Sequence, residues 1–227
     1  MQGILLVDKP KTWTSFDVVN YVRRIVAIYE GKKPKNVKVG HTGTLDPLAT
    51  GLLVVLVGKE YTRRAGEWSK LDKTYEVVMK LGETSTTGDE EGDKTVGSDR
   101  WPSRDEIETV LARFSGDIMQ TPPIYSAMKV GGVRAYKLAR AGQEVVLEPR
   151  PVRIDSNLLT AYEYPYVRFT SRVSSGTYIR SLVEDMGAAL GTGAYMSDLR
   201  RTAVGEFSLD DAIDIKTFSA EALLLTI

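Results

Sequence analysis

Residues 40–51 read Gly-His-Thr-Gly-Thr-Leu-Asp-Pro-Leu-Ala-Thr-Gly. Three glycines permit turns that other residues resist, and Pro47 stiffens the backbone directly after Asp46. The side chains are small, so a large ligand has room to approach. Asp46 in such a setting is a carboxylate held at a fixed place in a cleft, as nucleophilic or general-base work requires. An Asp before a Pro is also an ordinary turn starter, and the segment alone leaves both readings open.

Several chemistries are excluded. The chain has no cysteine, so thiolate nucleophiles, disulfides and cysteine-ligated zinc are absent. A single histidine, His41, argues against Ser-His catalysis and multi-histidine metal sites. No Gly-Lys-Ser/Thr follows the glycines, and no Gly-x-Gly-x-x-Gly opens a helix, so phosphate-loop and dinucleotide sites are unsupported. No apolar stretch is long enough to span a bilayer as a helix, and a cytoplasmic location without membrane contact is expected by default.

The elements that must position Asp46 come next. Residues 2–7 read as a buried strand. Thr14 and Ser15 offer N-cap oxygens to a helix with Phe16, Val19, Val22, Val26 and Tyr29 on one stripe. Residues 31–38 form a basic loop, and 52–57 an apolar strand. Residues 74–81 read as a strand and 82–102 as an exposed loop. Ser103 and Glu106 form a capping box for a helix closed by Gly116. Residues 124–130 read as a strand and 133–141 as a short helix. Strands over 152–162 and 166–174, a helix over 178–190 and a strand over 196–207 follow. Strands and helices do not alternate regularly, so the fold class is α+β with a mixed sheet. A core of this size is compatible with 42% hydrophobic residues.

Net charge is zero, but it is unevenly placed. Residues 1–80 carry 14 basic against 8 acidic side chains, and residues 81–116 carry 4 against 9. Residues 118–143 contain Lys129, Arg134, Lys137 and Arg140 with no acid, interleaved with Tyr125 and Tyr136. A basic face beside an acidic loop is possible, and so is ordinary scatter; charge alone does not separate them.

The glycine-rich stretch resembles the central motif of TruB-type pseudouridine synthases, and further blocks of that family occur in order. Asp8-Lys9-Pro10 with Thr14-Ser15 is similar to its first motif, and Lys73-Thr74-Tyr75 to the next. Residues 121–129 (Thr-Pro-Pro-Ile-Tyr-Ser-Ala-Met-Lys) with Tyr136, Ala139 and Arg140 follow. Gly176-Thr177-Tyr178-Ile179-Arg180-Ser181-Leu182 and Leu199-Arg200-Arg201-Thr202 complete the set. Three stretches depart from the pattern. Thr12 replaces a usual glycine, Tyr61-Thr62-Arg63 replaces Ala-Thr-Lys, and Val173 stands where cysteine is common.

The resemblance implies the pseudouridine synthase core, a mixed sheet flanked by helices and loops with a central RNA-binding cleft. It implies one catalytic domain over 1–227, with 98–150 as a projecting subregion that grips RNA and no C-terminal PUA-like domain. The implied activity is that of an isomerase converting uridine 55 in the tRNA T-loop to pseudouridine after base flipping. Asp46 breaks the glycosidic bond, either as a nucleophile at C1′ or as a base at C2′. Arg180 is the implied cation beside it, and Tyr75 stacks on the uracil. His41 fills the space left by the flipped base, and Tyr178 and Leu199 line the pocket. Asp17, Lys9, Lys129 and Arg140 are implied RNA contacts. No metal or cofactor is needed, because the reaction rearranges one nucleotide without net gain or loss. The partner is the T-arm of tRNA, without guide RNA, and the protein acts as a monomer. The alternative is a non-catalytic RNA-binding or chaperone protein of the same fold.

Overall fold

The structure, a computed structural model, describes residues 1–220. In chain order its elements open with strand β1 (Gly3–Lys9), helix α1 (Ser15–Tyr29), β2 (Val39–His41) and β3 (Thr50–Val57). Two five-residue helices, α2 (Lys59–Arg63) and α3 (Ala65–Ser69), precede β4 (Lys73–Leu81) and the hairpin β5 (Glu83–Ser85) and β6 (Lys94–Val96). Helix α4 (Arg104–Arg113), β7 (Gly116–Gln120), the short hairpin β8 (Lys129–Val130) and β9 (Val133–Arg134), and α5 (Ala135–Arg140) follow. The long strands β10 (Arg150–Glu163) and β11 (Tyr166–Val173) lead to α6 (Ile179–Leu190), β12 (Ala194–Val204), β13 (Phe207–Ser208) and β14 (Ile213–Asp214). The described residues fall into two compact units, 1–75 with 199–220, and 76–198. The division lies inside β4 and inside β12. Among the described residues no helix is long and apolar enough to cross a membrane.

In the first unit the strand order is β14-β1-β3-β12. Strands β1 and β3 are antiparallel, with Val7 opposite Leu53 and Lys9 opposite Gly51. Strand β12 runs parallel to β3, and β14 runs parallel to β1, so the sheet is mixed. The unbroken apolar run Leu52–Val57 is fully buried because both faces of β3 are covered. On one face Leu53, Val55 and Val57 pack with Val18, Val19, Val22 and Val26 of α1. On the other, Leu52, Val54 and Leu56 meet Tyr61 and Trp68 of α2 and α3. The stripe expected on α1 is therefore shifted: Phe16 is 59% exposed and Tyr29 50% exposed. Val18 takes the inward position instead, because the helix turns on the face that meets β3.

In the second unit β4, β11, β10 and β7 are neighbours in that order, with β10 antiparallel to both β11 and β7. Asn157 of β10 donates to the carbonyls of Leu111 and Phe114 and accepts from Ser171, which fastens the end of α4 to the sheet. The Ser103/Glu106 capping box starts α4 as expected, and Gly191 ends α6 in the left-handed region. The helix α4 stops at Phe114, and Gly116, with φ of +92°, opens β7 rather than closing the helix. The strand expected over 124–130 shrinks to the two residues of β8, which pair with β9 in a short hairpin, while β7 forms the edge beside β10. The loop expected over 82–102 contains the β5–β6 hairpin and a buried acid, Asp89.

Candidate active site

One edge of β3 is shared. Strand β2 pairs with its end, His41 opposite Val55, and β12 pairs with its start, Arg201 opposite Gly51. The chain between β2 and β3 carries Asp46, and its backbone is fixed at several points. Buried Ser15, the first residue of α1, donates its hydroxyl to the Leu45 carbonyl (3.0 Å) and accepts from the Leu45 N–H (2.8 Å). The Asp46 carbonyl accepts from Ala49 N–H, closing a turn. The Pro47 carbonyl accepts from Thr12 N–H at 2.8 Å and from the Lys9 ammonium at 3.5 Å. Residues on both sides of Asp46 are thus immobilised, and Asp46 itself is half-buried.

Two buried cations complete the mount. Arg201 is 1% exposed. It donates to the carbonyls of Gly43 and Leu52, one near each end of the segment, and so clamps both. Lys9 is fully buried, and its ammonium also donates to the carbonyls of Pro10 and Trp13. Expected among the RNA contacts, Lys9 is placed instead where it ties the 10–13 turn to the residue after Asp46. Burial pushes its ammonium down to about 8; the Asp46 charge is the largest influence opposing this, and Arg201 adds to it. Lys73, bonded to the carbonyls of Ser69 and Leu71, is likewise pushed down to about 8 by burial and by Arg201.

These values give a pH dependence. Both lysines are cations below pH 8 and neutral above it, so raising the pH through 8 removes positive charge from around the Asp46 mount. The single-turnover rate is expected to fall above about pH 8, with the limb reduced in Lys9→Met. A profile that stays flat across pH 8 would contradict this.

Thr12 is the one non-glycine residue with a left-handed backbone among the described residues, at φ of +74°. Its N–H must point at Pro47, and a β-branched side chain resists that conformation. This accounts physically for the glycine of the family pattern at this position. Thr12→Gly is expected to raise stability by about 1 kcal/mol, read as a higher urea midpoint with unchanged slope; a lower midpoint would count against strain at Thr12.

The other expected residues of this unit lie as follows. His41 ends β2, and its Nδ1 is buried without a hydrogen-bond partner among the described residues. Burial, with Arg201 assisting, pushes its imidazole below the ordinary value. Tyr75 on β4 and Leu199 on β12 are both 7% exposed. Asp17 is exposed, and its carboxylate accepts from the N–H and hydroxyl of Thr14 in a capping box. These two bonds hold its carboxyl below the usual range.

In the second unit, Arg180 is buried at the start of α6. Its guanidinium donates to the carbonyls of Thr87 (3.0 Å) and Tyr125 (2.9 Å), and Asp89 Oδ2 lies 3.6 Å away. Tyr178 precedes the helix, and buried Gln120 bonds both its N–H and its carbonyl. Ser181 donates to Thr121. Two motif blocks far apart in sequence are therefore fastened together, residues 120–125 to the first turn of α6. Arg150 lies 5.2 Å over the Tyr178 ring. Lys129 is exposed on β8, and Arg140 ends α5 with its guanidinium 5.8 Å over the Tyr136 ring.

Sequence reasoning missed Asp89 and Arg201. Asp89, 4% exposed, sits in a stretch whose composition reads as solvated loop, and it accepts from Thr87 and Glu91. Arg201 had a signal: in a strand, neighbouring side chains point to opposite faces. Of the pair Arg200-Arg201, one bonds Asp8 at the surface and the other must point inward.

The N-terminal domain of TruB family pseudouridylate synthases matches residues 30–179, and the C-terminal domain of tRNA pseudouridylate synthase B matches residues 180–226. The chain belongs to the TruB family. Similar TruB proteins include a tRNA pseudouridine synthase B of Cupriavidus metallidurans, 44% identical over 98% of this chain and 68% of that protein. Another, from Chlamydia trachomatis, is 43% identical over 94% of this chain and 85% of its own length. Among solved structures, a chain of a Cbf5–Nop10–Gar1 complex superposes with a TM-score of 0.70 at 32% identity, over 94% of this chain and 52% of that chain. The TruB chain described here thus spans about half the length of that solved chain.

Proposed function

We propose that the chain converts uridine 55 of the tRNA T-loop to pseudouridine, with Asp46 as the catalytic carboxylate. The observation that carries this is the mounting of Asp46. Ser15, Thr12, Lys9 and Arg201 fix the backbone on both sides of one acid, inside the segment that most resembles the family's central motif. Such fixation is what a positioned nucleophile or base requires, since misplacement by an ångström costs rate heavily.

The reaction breaks the N1–C1′ bond of uridine, turns the detached uracil and forms a C5–C1′ bond; the C5 proton then leaves. Asp46 either attacks C1′ and is later displaced by C5, or removes the C2′ proton and returns it. Both routes are redox-neutral: the C5 proton passes to solvent, N1 takes up a proton in its place, and the product is an isomer of the substrate. Lys9 holds the segment in place. Tyr75 supplies an aromatic face for the uracil and Leu199 an apolar wall. In the same reading Arg180 provides the guanidinium, Tyr178 lines the pocket, and Lys129 and Arg140 contact phosphates. His41, neutral near pH 7, occupies the place vacated by the flipped base.

The chain is proposed to act on tRNA by itself. An unmodified tRNA transcript, incubated with the protein and no other RNA, is expected to gain a single carbodiimide-dependent primer-extension stop at the T-loop uridine. EDTA is expected to leave the rate unchanged. Modification elsewhere, or only after a second RNA is added, would contradict the assignment.

A further inference from the structure

Away from the Asp46 segment, the first unit holds a groove of about 600 Å³ between the middle of α1 and residues 34–39. Arg23, Arg24, Lys35 and Lys38 line it, and no carboxylate does. Four cations around one concavity repel one another, and nothing within the groove compensates them; such a surface is built for a polyanion. One of the four is pre-oriented. Arg23 donates to the Asn20 side chain at 2.6 Å and to the Val39 carbonyl at 3.3 Å, so its guanidinium plane is fixed before any ligand arrives. Arg24, Lys35 and Lys38 are exposed, with mobile charged ends available to adjust.

An aromatic side chain adjoins this surface. Phe16 lies on the same face of α1, one and two turns before Asn20 and Arg23. It is 59% exposed, although residues two and three positions on are buried, and Arg23 lies 5.8 Å over its ring. Exposed aromatic rings beside guanidinium groups are how proteins hold unstacked bases, whereas a protein partner or a membrane would call for a wider apolar surface.

We propose that this groove binds the phosphodiester backbone of an RNA strand flanking the reacting nucleotide, with Phe16 as a stacking platform for one of its bases. The proposal rests on the reading of the chain as an RNA-modifying enzyme. The geometry connects the two places. Helix α1 begins at Ser15, which is bonded to the residue before Asp46, and reaches Arg23 and Arg24 after eight or nine residues. That is about 12–14 Å along the helix, or roughly four stacked nucleotide steps. On the other side, Val39 of the groove is two residues from His41 on β2. A strand leaving the Asp46 segment along α1 would enter the groove within a few nucleotides.

The test measures equilibrium binding of an unmodified tRNA transcript at several salt concentrations, using Asp46→Asn protein so that no turnover intervenes. Adding Arg24→Gln and Lys38→Gln together is expected to raise Kd about 10-fold and to lower the slope of log Kd against log salt by about 1.5–2. Phe16→Ala is expected to raise Kd about 5-fold or more with the slope unchanged. In the Asp46-containing enzyme, Arg24→Gln with Lys38→Gln is expected to raise KM and leave kcat alone. All these positions are exposed, and matching urea midpoints would confirm that the variants fold. Unchanged Kd and slope would overturn the proposal, as would equal losses from Arg64→Gln with Lys70→Gln, exposed positions flanking α3 on the face of β3 opposite α1. A chain that makes no pseudouridine yet loses salt slope supports the groove and refutes only the catalytic reading. A chain that makes pseudouridine with binding unaffected refutes the groove alone.

Discussion

Asp46→Asn is expected to lower the single-turnover rate of pseudouridine formation by at least about 10³-fold, or roughly 4 kcal/mol of barrier. The substitution keeps shape and size and removes only the ionisable oxygen. The surrounding mount is made of backbone bonds from Ser15, Thr12, Lys9 and Arg201 to residues other than the Asp46 side chain. The segment should therefore keep its conformation, and RNA should bind with nearly unchanged Kd. An amide can neither attack C1′ nor take the C2′ proton, so both chemical routes fail together. Rate loss without binding loss is the signature of a group needed in the transition state. Parallel loss of both would instead indicate a collapsed segment.

Gly51→Ala is expected to destabilise the first unit by about 3–5 kcal/mol, from left-handed strain and overpacking combined. Gly51 has φ of +96°, where a side chain is disfavoured. A Cβ there would lie 2.3 Å from the Arg201 carbonyl oxygen and 2.8 Å from its nitrogen. Those are backbone atoms of β12, so no rotamer change relieves the overlap. Either β12 moves away from β3 or the Asp46 segment enters the strand at another angle. Urea unfolding would show the loss as a lowered midpoint, and residual activity should drop with it because Arg201 no longer reaches Gly43 and Leu52. An unchanged midpoint would show that the two strands are less tightly seated than described.

Much of this was legible in the sequence because it is local. Glycines at 40, 43 and 51 and Pro47 announced an irregular segment around Asp46, and the Ser103/Glu106 spacing announced the start of α4. The apolar run at 52–57 announced a central strand. What was not legible depends on partners distant along the chain. Ser15 reads as a helix cap, but its hydroxyl is committed to Leu45, thirty residues on. Lys9 is implied as an RNA contact, and its burial becomes visible only with the carbonyls of Trp13 and Pro47 around its ammonium. Asp89 lies among Gly, Thr and acidic residues, which read as solvated, and its burial follows from Arg180, 91 residues later. Phe16 and Val18 compete for the inward face of α1, and only the position of β3 decides between them.

The central claim is that one immobilised carboxylate drives exchange at C5 of the target uridine. Tritium release from a T-arm transcript carrying 5-tritiated uridine tests it most directly, comparing the wild-type chain with Asp46→Asn. The account predicts release of one equivalent of tritium per target uridine by the wild type and none above background by Asp46→Asn. Release by both proteins at similar rates, or by neither, would contradict it.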